Sequence, residues 1–271
     1  MGHEITEATR ELRAYKTVDE FLVDWTQDTV FFTTCNSGNA ALAANLARSC
    51  RANSIPLVFF AADQEAFHQL KPFCHVVDFA GESPYKFAIS RKTRYRSSKI
   101  GTRAFHGLAW MRYGLLKGIL SSGRKAVYLD TDIVIRVDFR DDLFSYFSSN
   151  SQLHGVVQSN GGGACTGFQA YHERASRIFS DIFSEHFLNL NNYKSMGALA
   201  DQEFFNTVVC NPAKEHLLNV HFLSRDLYPQ GSWFYAHSDR IASSCKIVHY
   251  NGIAGQKNKI EKMKMYGHWS G

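Results

Sequence analysis

The sequence has no run of about 18 consecutive apolar residues, the length that a membrane-spanning helix needs. Its first ten residues, MGHEITEATR, contain neither an apolar core nor a small-residue cleavage site, so no secretory signal is predicted. The six cysteines form no CxxC pair and have no zinc-site spacing, which favours buried free thiols over disulfides. No fixed-period repeat or low-complexity tract is present, which excludes a solenoid. These absences predict a soluble, cytoplasmic protein without a membrane span.

Apolar, β-rich segments alternate with helical segments in the first half of the chain. The strand-like segments lie near residues 29–34, 56–62, 75–79 and 126–130. Continuous apolar strands separated by helices are typical of a parallel sheet that helices cover on both faces. With 45% hydrophobic residues over 271 positions, the chain has enough apolar side chain for such a core. We predict a single α/β domain over residues 1–271, with these four strands as neighbours in a mostly parallel sheet.

Basic residues concentrate in one segment. Seven of the 30 Lys and Arg residues lie between residues 86 and 103, and this segment contains no Asp or Glu. The formal net charge is +5, so the rest of the chain is net acidic. A local concentration of this kind indicates one anionic partner at one place, and a solvated loop is the alternative.

Two carboxylates follow the apolar strand near residues 126–130. Asp130 and Asp132 are two positions apart, so their side chains point to the same face of an extended chain. In an open α/β sheet, ligands bind at the carboxyl ends of the strands. Two close carboxylates repel each other without a cation, and hard oxygen ligands favour Mg²⁺ or Mn²⁺. The pair therefore predicts a metal site, and a turn or capping pair at a strand end is the alternative.

The segment from Tyr128 to Val134 resembles the DxD strand of the nucleotide-diphospho-sugar glycosyltransferases with the GT-A fold. Four further segments resemble parts of this family in the same order along the chain. They are Lys99 with the helix at 105–120, Cys165–Phe168 for the "NTGF" strand, Asp201 and Gln202 with Asn206 for the "DQ…N" helix, and a C-terminal run containing His249, Tyr250, Asn251, Gly252, Gly255, Lys257 and Trp269. The likeness covers about residues 29–269, and Cys165 stands where the family usually has Asn.

The resemblance implies a GT-A-like, Rossmann-like domain and a metal-dependent glycosyltransferase, either a hexosyl- or a pentosyltransferase. The donor would be a nucleotide-diphosphate sugar, most commonly a UDP-sugar in this family, and the acceptor a hydroxyl of a glycan or glycoprotein. Residues from about 29 to 135 would form the nucleotide-binding half, and those from about 136 to 271 the half for the sugar and the acceptor. Neither nucleic acid nor a membrane is expected as a partner.

The resemblance also assigns metal ligands and sugar contacts. Asp132 and His249 would hold Mn²⁺ or Mg²⁺, with Asp130 at the metal, the ribose or both. The cation would neutralise the charge that develops on the leaving β-phosphate. Asp201 and Gln202 are the catalytic candidates and would contact the transferred sugar, and a helix N-terminal acid is the alternative role of Asp201.

Further donor-binding candidates combine positions at strand ends with the resemblance. Polar residues after the first two strands would hydrogen-bond the base and the ribose. Basic residues before the long helix and after the last strand would meet the diphosphate as point charges, and the spacing does not decide between Lys257 and Lys259. The donor-binding set is Thr33, Thr34, Asn36, Asp63, Lys99, Arg103, Asp130, Thr131, Thr166, Gly167, Asn251, Gly252, Gly255 and Lys257.

Two other functions fit parts of the sequence. Asp130–Val134 also fits the DxDx[TV] signature of haloacid-dehalogenase-type phosphatases, in which Asp130 would be the nucleophile. That motif normally opens its domain, whereas three βα-like units precede it here. The basic run at 86–103, with interleaved aromatic residues, would suit a non-enzymatic nucleic-acid-binding module.

Overall fold

A central eight-stranded sheet organises the part of the chain that the computed structural model describes, residues 12–79, 103–181, 201–209 and 218–270. Side chains are described in these ranges except at 103–110, 201, 208 and 209. The strands are β1 (Ala14–Tyr15), β2 (Thr29–Cys35), β3 (Leu57–Ala61), β4 (His75–Asp78), β5 (Lys125–Leu129), β6 (Ile133–Ile135), β7 (Gly155–Ser159), β8 (Ala164–Tyr171), β9 (Val220–Leu223) and β10 (Ile247–His249).

The sheet has the strand order β1-β4-β3-β2-β5-β8-β7-β9. The neighbours from β1 to β5 in this order are parallel, and β8 pairs antiparallel with both β5 and β7. The four predicted neighbours are therefore adjacent, and the predicted α/β fold with a mostly parallel sheet is confirmed. Strands β2 and β3 end level with each other, since Cys35 pairs with Ala61, so the segments that follow them start at one edge of the sheet.

Helices cover both faces of the sheet. The helices are α1 (Val18–Asp24), α2 (Ala40–Ala52), α3 (Gln64–Leu70), α4 (Arg103–Ser121), α5 (Arg140–Ser149), α6 (Asp201–Phe204), α7 (Gly231–Ile241) and α8 (Gln256–Met265), and a π-helical segment, Phe205–Val209, follows α6. Alternate residues of β2 separate the two cores: Phe32 packs with α1 and α4, whereas Phe31 packs with α2, α3 and α5. None of the helices in the described ranges combines the length and the apolarity that crossing a bilayer requires.

A third apolar cluster attaches the C-terminal part of the chain. Strands β6 and β10 form a separate antiparallel sheet, in which Val134 pairs with Val248. Phe234 from α7 and Met263 from α8 are buried in the same cluster. The C-terminal elements are thereby fixed to the segment that follows β5. Most of the basic segment, residues 86–102, lies outside the described residues, so its predicted anionic partner stays a prediction.

Candidate functional site

Asp130, Asp132 and His249 come together at the carboxyl end of β5. Their ligand atoms lie within 4.8 Å of one another. His249 Nε2 is 3.2 Å from Asp132 Oδ1 and 3.5 Å from Asp130 Oδ2. Asp132 and His249 are buried and Asp130 is half-buried. The three residues that the resemblance assigns to the metal thus form one cluster.

Backbone hydrogen bonds explain why these distant residues meet. The Asp130 N–H donates to the Gly167 carbonyl at 2.7 Å, which extends the pairing of β5 with β8. A turn between β5 and β6 follows, closed by the Ile133 N–H donating to the Asp130 carbonyl at 3.1 Å. Strand β10 then sets His249 opposite Ile133, and the Tyr250 N–H donates to the Asp132 carbonyl at 2.9 Å. The turn is therefore held between β8 and β10.

Gln158 fixes the orientation of the His249 ring. Gln158 Nε2 donates to the Tyr228 carbonyl at 3.0 Å, so Gln158 Oε1 faces His249 Nδ1, at 2.8 Å. Since this oxygen only accepts, Nδ1 carries a proton, and Nε2 is the ring nitrogen that faces the two carboxylates. Nε2 is buried and makes no well-aligned hydrogen bond to any described residue. An imidazole nitrogen held in this way beside two carboxylates fits a divalent cation.

Lys259, from α8, balances the charge of Asp132. Its Nζ lies 2.5 Å from Asp132 Oδ2. Burial favours the protonated carboxyl, but Lys259 and His249 outweigh it and lower the pKa of Asp132. Burial likewise favours the neutral imidazole, yet Asp132 and Asp130 hold the pKa of His249 well above its usual value when no cation is present. Asp132 is therefore ionised at neutral pH.

Tyr128 and Arg112 hold Asp130 from the face of the sheet that carries α4. The Tyr128 hydroxyl donates to Asp130 Oδ1 at 2.7 Å. The buried Arg112 guanidinium lies over the Tyr128 ring, 4.6 Å from its centroid, and donates to the Thr166 carbonyl. Burial raises the pKa of Asp130, but His249 and Arg112 together lower it below its usual value. Arg112 is not among the site residues predicted from the sequence.

Gly167 lets β8 pass directly beside the cluster. A Cβ atom at this position would lie 2.1 Å from His249 Cε1, 2.7 Å from His249 Nε2 and 2.6 Å from Asp130 Oδ2. Real Cβ atoms essentially never approach other atoms this closely. Glycine therefore leaves both ligands room in front of the strand.

Thr33 and Thr34, two predicted donor contacts, lie on opposite faces of the sheet. Thr34 lies two residues after Phe32, which pairs with Tyr128, so Thr34 shares the sheet face of Tyr128 and Asp130. Thr33 is buried on the face of Phe31 and Cys35. Of these two residues, Thr34 is therefore the one on the face of the sheet that carries Asp130.

Asp63 connects the loops that follow β2 and β3. Its Oδ1 accepts from the Ala66 N–H at 2.7 Å and caps α3, while its Oδ2 accepts from the Ser37 N–H at 2.9 Å. Asn36, the residue before Ser37, is buried. These strand-end residues line the edge where the sequence predicts the base and the ribose.

Asn251 and two glycines shape the chain between β10 and α8. Asn251 Oδ1 accepts from the Gly231 N–H at 2.7 Å, and its Nδ2 donates to Cys165 Sγ at 3.4 Å. Gly252 and Gly255 have φ values of 74° and 81°, which side chains other than glycine rarely adopt. Asn251 thus joins the start of α7 to β8.

Asn206 fixes α6 against β8. Its Oδ1 accepts from the Ala164 N–H at 2.8 Å, and its Nδ2 donates to the carbonyls of Ala164 and Gln202, at 3.1 Å and 2.8 Å. The Asp201–Gln202 pair is thereby held to the strand that carries Gly167. The side chains of Asp201 and Arg103 are not described, Lys99 lies outside the described residues, and Thr131 is half-buried in the turn after β5.

Comparison with known proteins gives one family match. A family model described as nucleotide-diphospho-sugar transferase matches residues 55–263, which is more than half of the chain and includes the whole cluster with Lys259. No curated relative matches the chain by sequence. The match favours the predicted transferase over the phosphatase and the nucleic-acid-binding module.

Solved structures match the fold. Mouse xyloside xylosyltransferase 1, apo form, has a TM-score of 0.53 and 15% identity, over 89% of this chain and 98% of that one. The apo form of the glycosyltransferase GlyE from Streptococcus pneumoniae TIGR4 has a TM-score of 0.51 and 15% identity, over 89% of this chain and 60% of GlyE. This chain thus spans less than two thirds of GlyE. At such low identity the likeness concerns the fold, and the predicted GT-A-like domain is confirmed.

Proposed function

The chain belongs to the nucleotide-diphospho-sugar transferase family and is a glycosyltransferase, and from that premise we propose a metal-dependent reaction at the cluster of Asp130, Asp132 and His249. The donor is a nucleotide-diphosphate sugar, which we take to be a UDP-sugar by analogy with the family, and the acceptor is a hydroxyl of a glycan or glycoprotein. The observation that carries the proposal is the convergence of three ligand atoms, since the buried His249 Nε2 lies 3.2 Å from Asp132 Oδ1 and 3.5 Å from Asp130 Oδ2.

The three side chains of the cluster offer ligand atoms that fit Mn²⁺ or Mg²⁺. Asp130 and Asp132 offer hard oxygen ligands, and phosphate oxygens of the donor would fill further positions. The His249 imidazole shifts the preference towards Mn²⁺. When bound, the cation supplies Lewis-acid neutralisation of the charge on the leaving β-phosphate.

Other residues of the chain bind and orient the donor in this proposal. Thr34, Asn36 and Asp63 lie at the strand ends of the nucleotide-binding half, residues 29–135, where the base and ribose would bind. Arg112 keeps Asp130 ionised and holds the backbone at Thr166. Asp201 and Gln202, which Asn206 fixes against β8, contact the transferred sugar.

Lys259 is expected to meet the diphosphate, and Lys257 is not. Lys259 lies four residues before the buried Met263, so both share the inward face of α8. Lys257 is exposed, and its Nζ lies 3.9 Å from Glu261 on the outer face.

We expect Lys259→Ala to lower kcat/KM by about 100-fold, since it removes a charge next to the leaving group. Lys257→Ala is expected to change it less than threefold, and initial rates of transfer measure both. A larger loss of kcat/KM in Lys257→Ala than in Lys259→Ala would instead assign the diphosphate contact to Lys257.

A thermal-shift screen of nucleotide sugars, with and without Mn²⁺, tests the proposed function. A ligand that binds the folded state at about 100 times its Kd adds about 2.7 kcal/mol of stability, which corresponds to a Tm increase of about 5 °C or more for a chain of this size. We expect this increase for one nucleotide class, with Mn²⁺ present and no excess chelator. The absence of a shift with every nucleotide, or transfer undiminished in excess chelator, would contradict the proposal.

A further inference from the structure

The hydroxyl of Tyr235 is a buried donor without an acceptor. Its oxygen is enclosed by protein, and no described residue hydrogen-bonds it. A buried hydroxyl in this state is unfavourable, because folding removes its hydrogen bonds to water without replacing them. The described residues therefore leave this donor for an acceptor that they do not supply.

The hydroxyl lies at the start of α7, beside the segment that follows His249. A Cβ atom on Gly231 would lie 3.0 Å from the Tyr235 hydroxyl oxygen and 2.5 Å from the Asn251 carbonyl oxygen. Glycine at 231 thus leaves the space that the hydroxyl and the Asn251 backbone share. Burial, with the Asp132 carboxylate adding to it, raises the pKa of Tyr235 well above its usual value. The phenol remains a proton donor, and it lies within electrostatic reach of the cluster.

The ring of Tyr235 is fixed by groups that do not involve its hydroxyl. It stacks on the Tyr266 ring, with centroids 6.2 Å apart and planes 13° apart. The Lys262 ammonium lies 5.0 Å from its centroid. Lys262 lies three residues after Lys259 on α8, so the two lysines are neighbours on the surface of this helix. An anionic oxygen is the acceptor that these charges favour.

We propose that the Tyr235 hydroxyl donates a hydrogen bond to a diphosphate oxygen of the nucleotide-sugar donor. This proposal rests on the proposed function, because the diphosphate is placed at the cluster by that function. The hydroxyl that lacks an acceptor in the ligand-free chain gains one when the donor enters. Tyr235 then binds the diphosphate of the donor, which is part of the leaving group, and contacts neither the base nor the sugar.

The variant Tyr235→Phe tests this proposal, because it removes one oxygen and keeps the ring. The probes are UDP, GDP and ADP with Mn²⁺, each compared with its own monophosphate by isothermal titration calorimetry. For the diphosphate that the wild type binds best, we expect Tyr235→Phe to weaken affinity about 10-fold. Affinity for the matching monophosphate should change less than twofold. The Tm should stay equal or rise, since an unsatisfied buried group has been removed.

Tyr250→Phe is the matched control. The Tyr250 hydroxyl oxygen lies 2.6 Å from His268 Nδ1, so removing the hydroxyl breaks a hydrogen bond that exists in the folded chain. We expect a lower Tm for this variant, with diphosphate affinity unchanged. Wild-type diphosphate affinity in Tyr235→Phe, an equal loss for the monophosphate, or a fall in Tm like that of Tyr250→Phe would each overturn the proposal for Tyr235. If the wild type bound no nucleoside diphosphate, the proposed function would fail as well.

Discussion

Asp132→Asn is expected to lower sugar transfer by about 100- to 1,000-fold while the protein stays folded. The substitution keeps the shape of the side chain but removes the charge that faces His249 Nε2 and Lys259 Nζ, at 3.2 Å and 2.5 Å. A neutral amide is a poor ligand for a divalent cation and no longer balances the lysine. Initial rates over a series of Mn²⁺ concentrations measure the loss, and far-UV circular dichroism checks the fold.

Asp226→Asn is the control for this substitution. Asp226 accepts hydrogen bonds from Arg240 and Trp233, away from the cluster. We expect transfer by this variant to stay within twofold of the wild type. If Asp132→Asn kept more than a tenth of the wild-type rate, the carboxylate pair would be a strand-end turn without a metal role.

Gly167→Ala is expected to lower transfer by more than 100-fold, although it adds only one methyl group and replaces none of the proposed ligands. The new Cβ would overlap His249 Cε1 and Asp130 Oδ2, so the ring or the carboxylate has to move. A displacement of about 1 Å at a reacting site is enough for a loss of this size. Overpacking also lowers the free energy of unfolding, by about 1–3 kcal/mol. Steady-state kinetics and urea unfolding measure the two effects.

Gly118→Ala separates the effect of position from the effect of the methyl group. Gly118 lies inside α4, and a Cβ there has no atom within 4 Å. Alanine favours helix over glycine by about 0.5–1 kcal/mol, so this variant should be at least as stable as the wild type and fully active. Transfer by Gly167→Ala at the wild-type rate would show that β8 does not limit the space at the cluster.

The sequence predicts those parts of the fold and the site that depend on local patterns. Strands β2 and β3 are continuous apolar runs, which identify buried parallel strands without knowledge of their partners. Asp130 and Asp132 follow such a run directly, so their place at a strand end is also a local property. His249 enters only through the resemblance, because no local pattern shows that β10 pairs with β6.

The supporting residues depend on contacts that the sequence does not reveal. The β7–β8 register shifts between Val157 and Gln158, and an irregularity of this kind re-aims the side chain that follows it. Gln158 therefore reaches His249, which simple alternation along the strand does not predict. Arg112 does not stand out in the sequence, because a denser basic segment precedes it. The proposal favours Lys259 over Lys257 because Met263 is buried and so identifies the inward face of α8, which the spacing alone does not reveal.

The separate pairing of β6 with β10 also sets the order in which the site comes into being during synthesis. A ribosome delivers the chain from its amino terminus, and domains begin to fold as they emerge. All eight strands of the central sheet precede Ser224, whereas His249 and Lys259 come later. The nascent chain can therefore complete its sheet while it still lacks the imidazole and the ammonium group. The chain therefore cannot form the complete cluster, and so cannot catalyse transfer by the proposed mechanism, until its last elements have been translated.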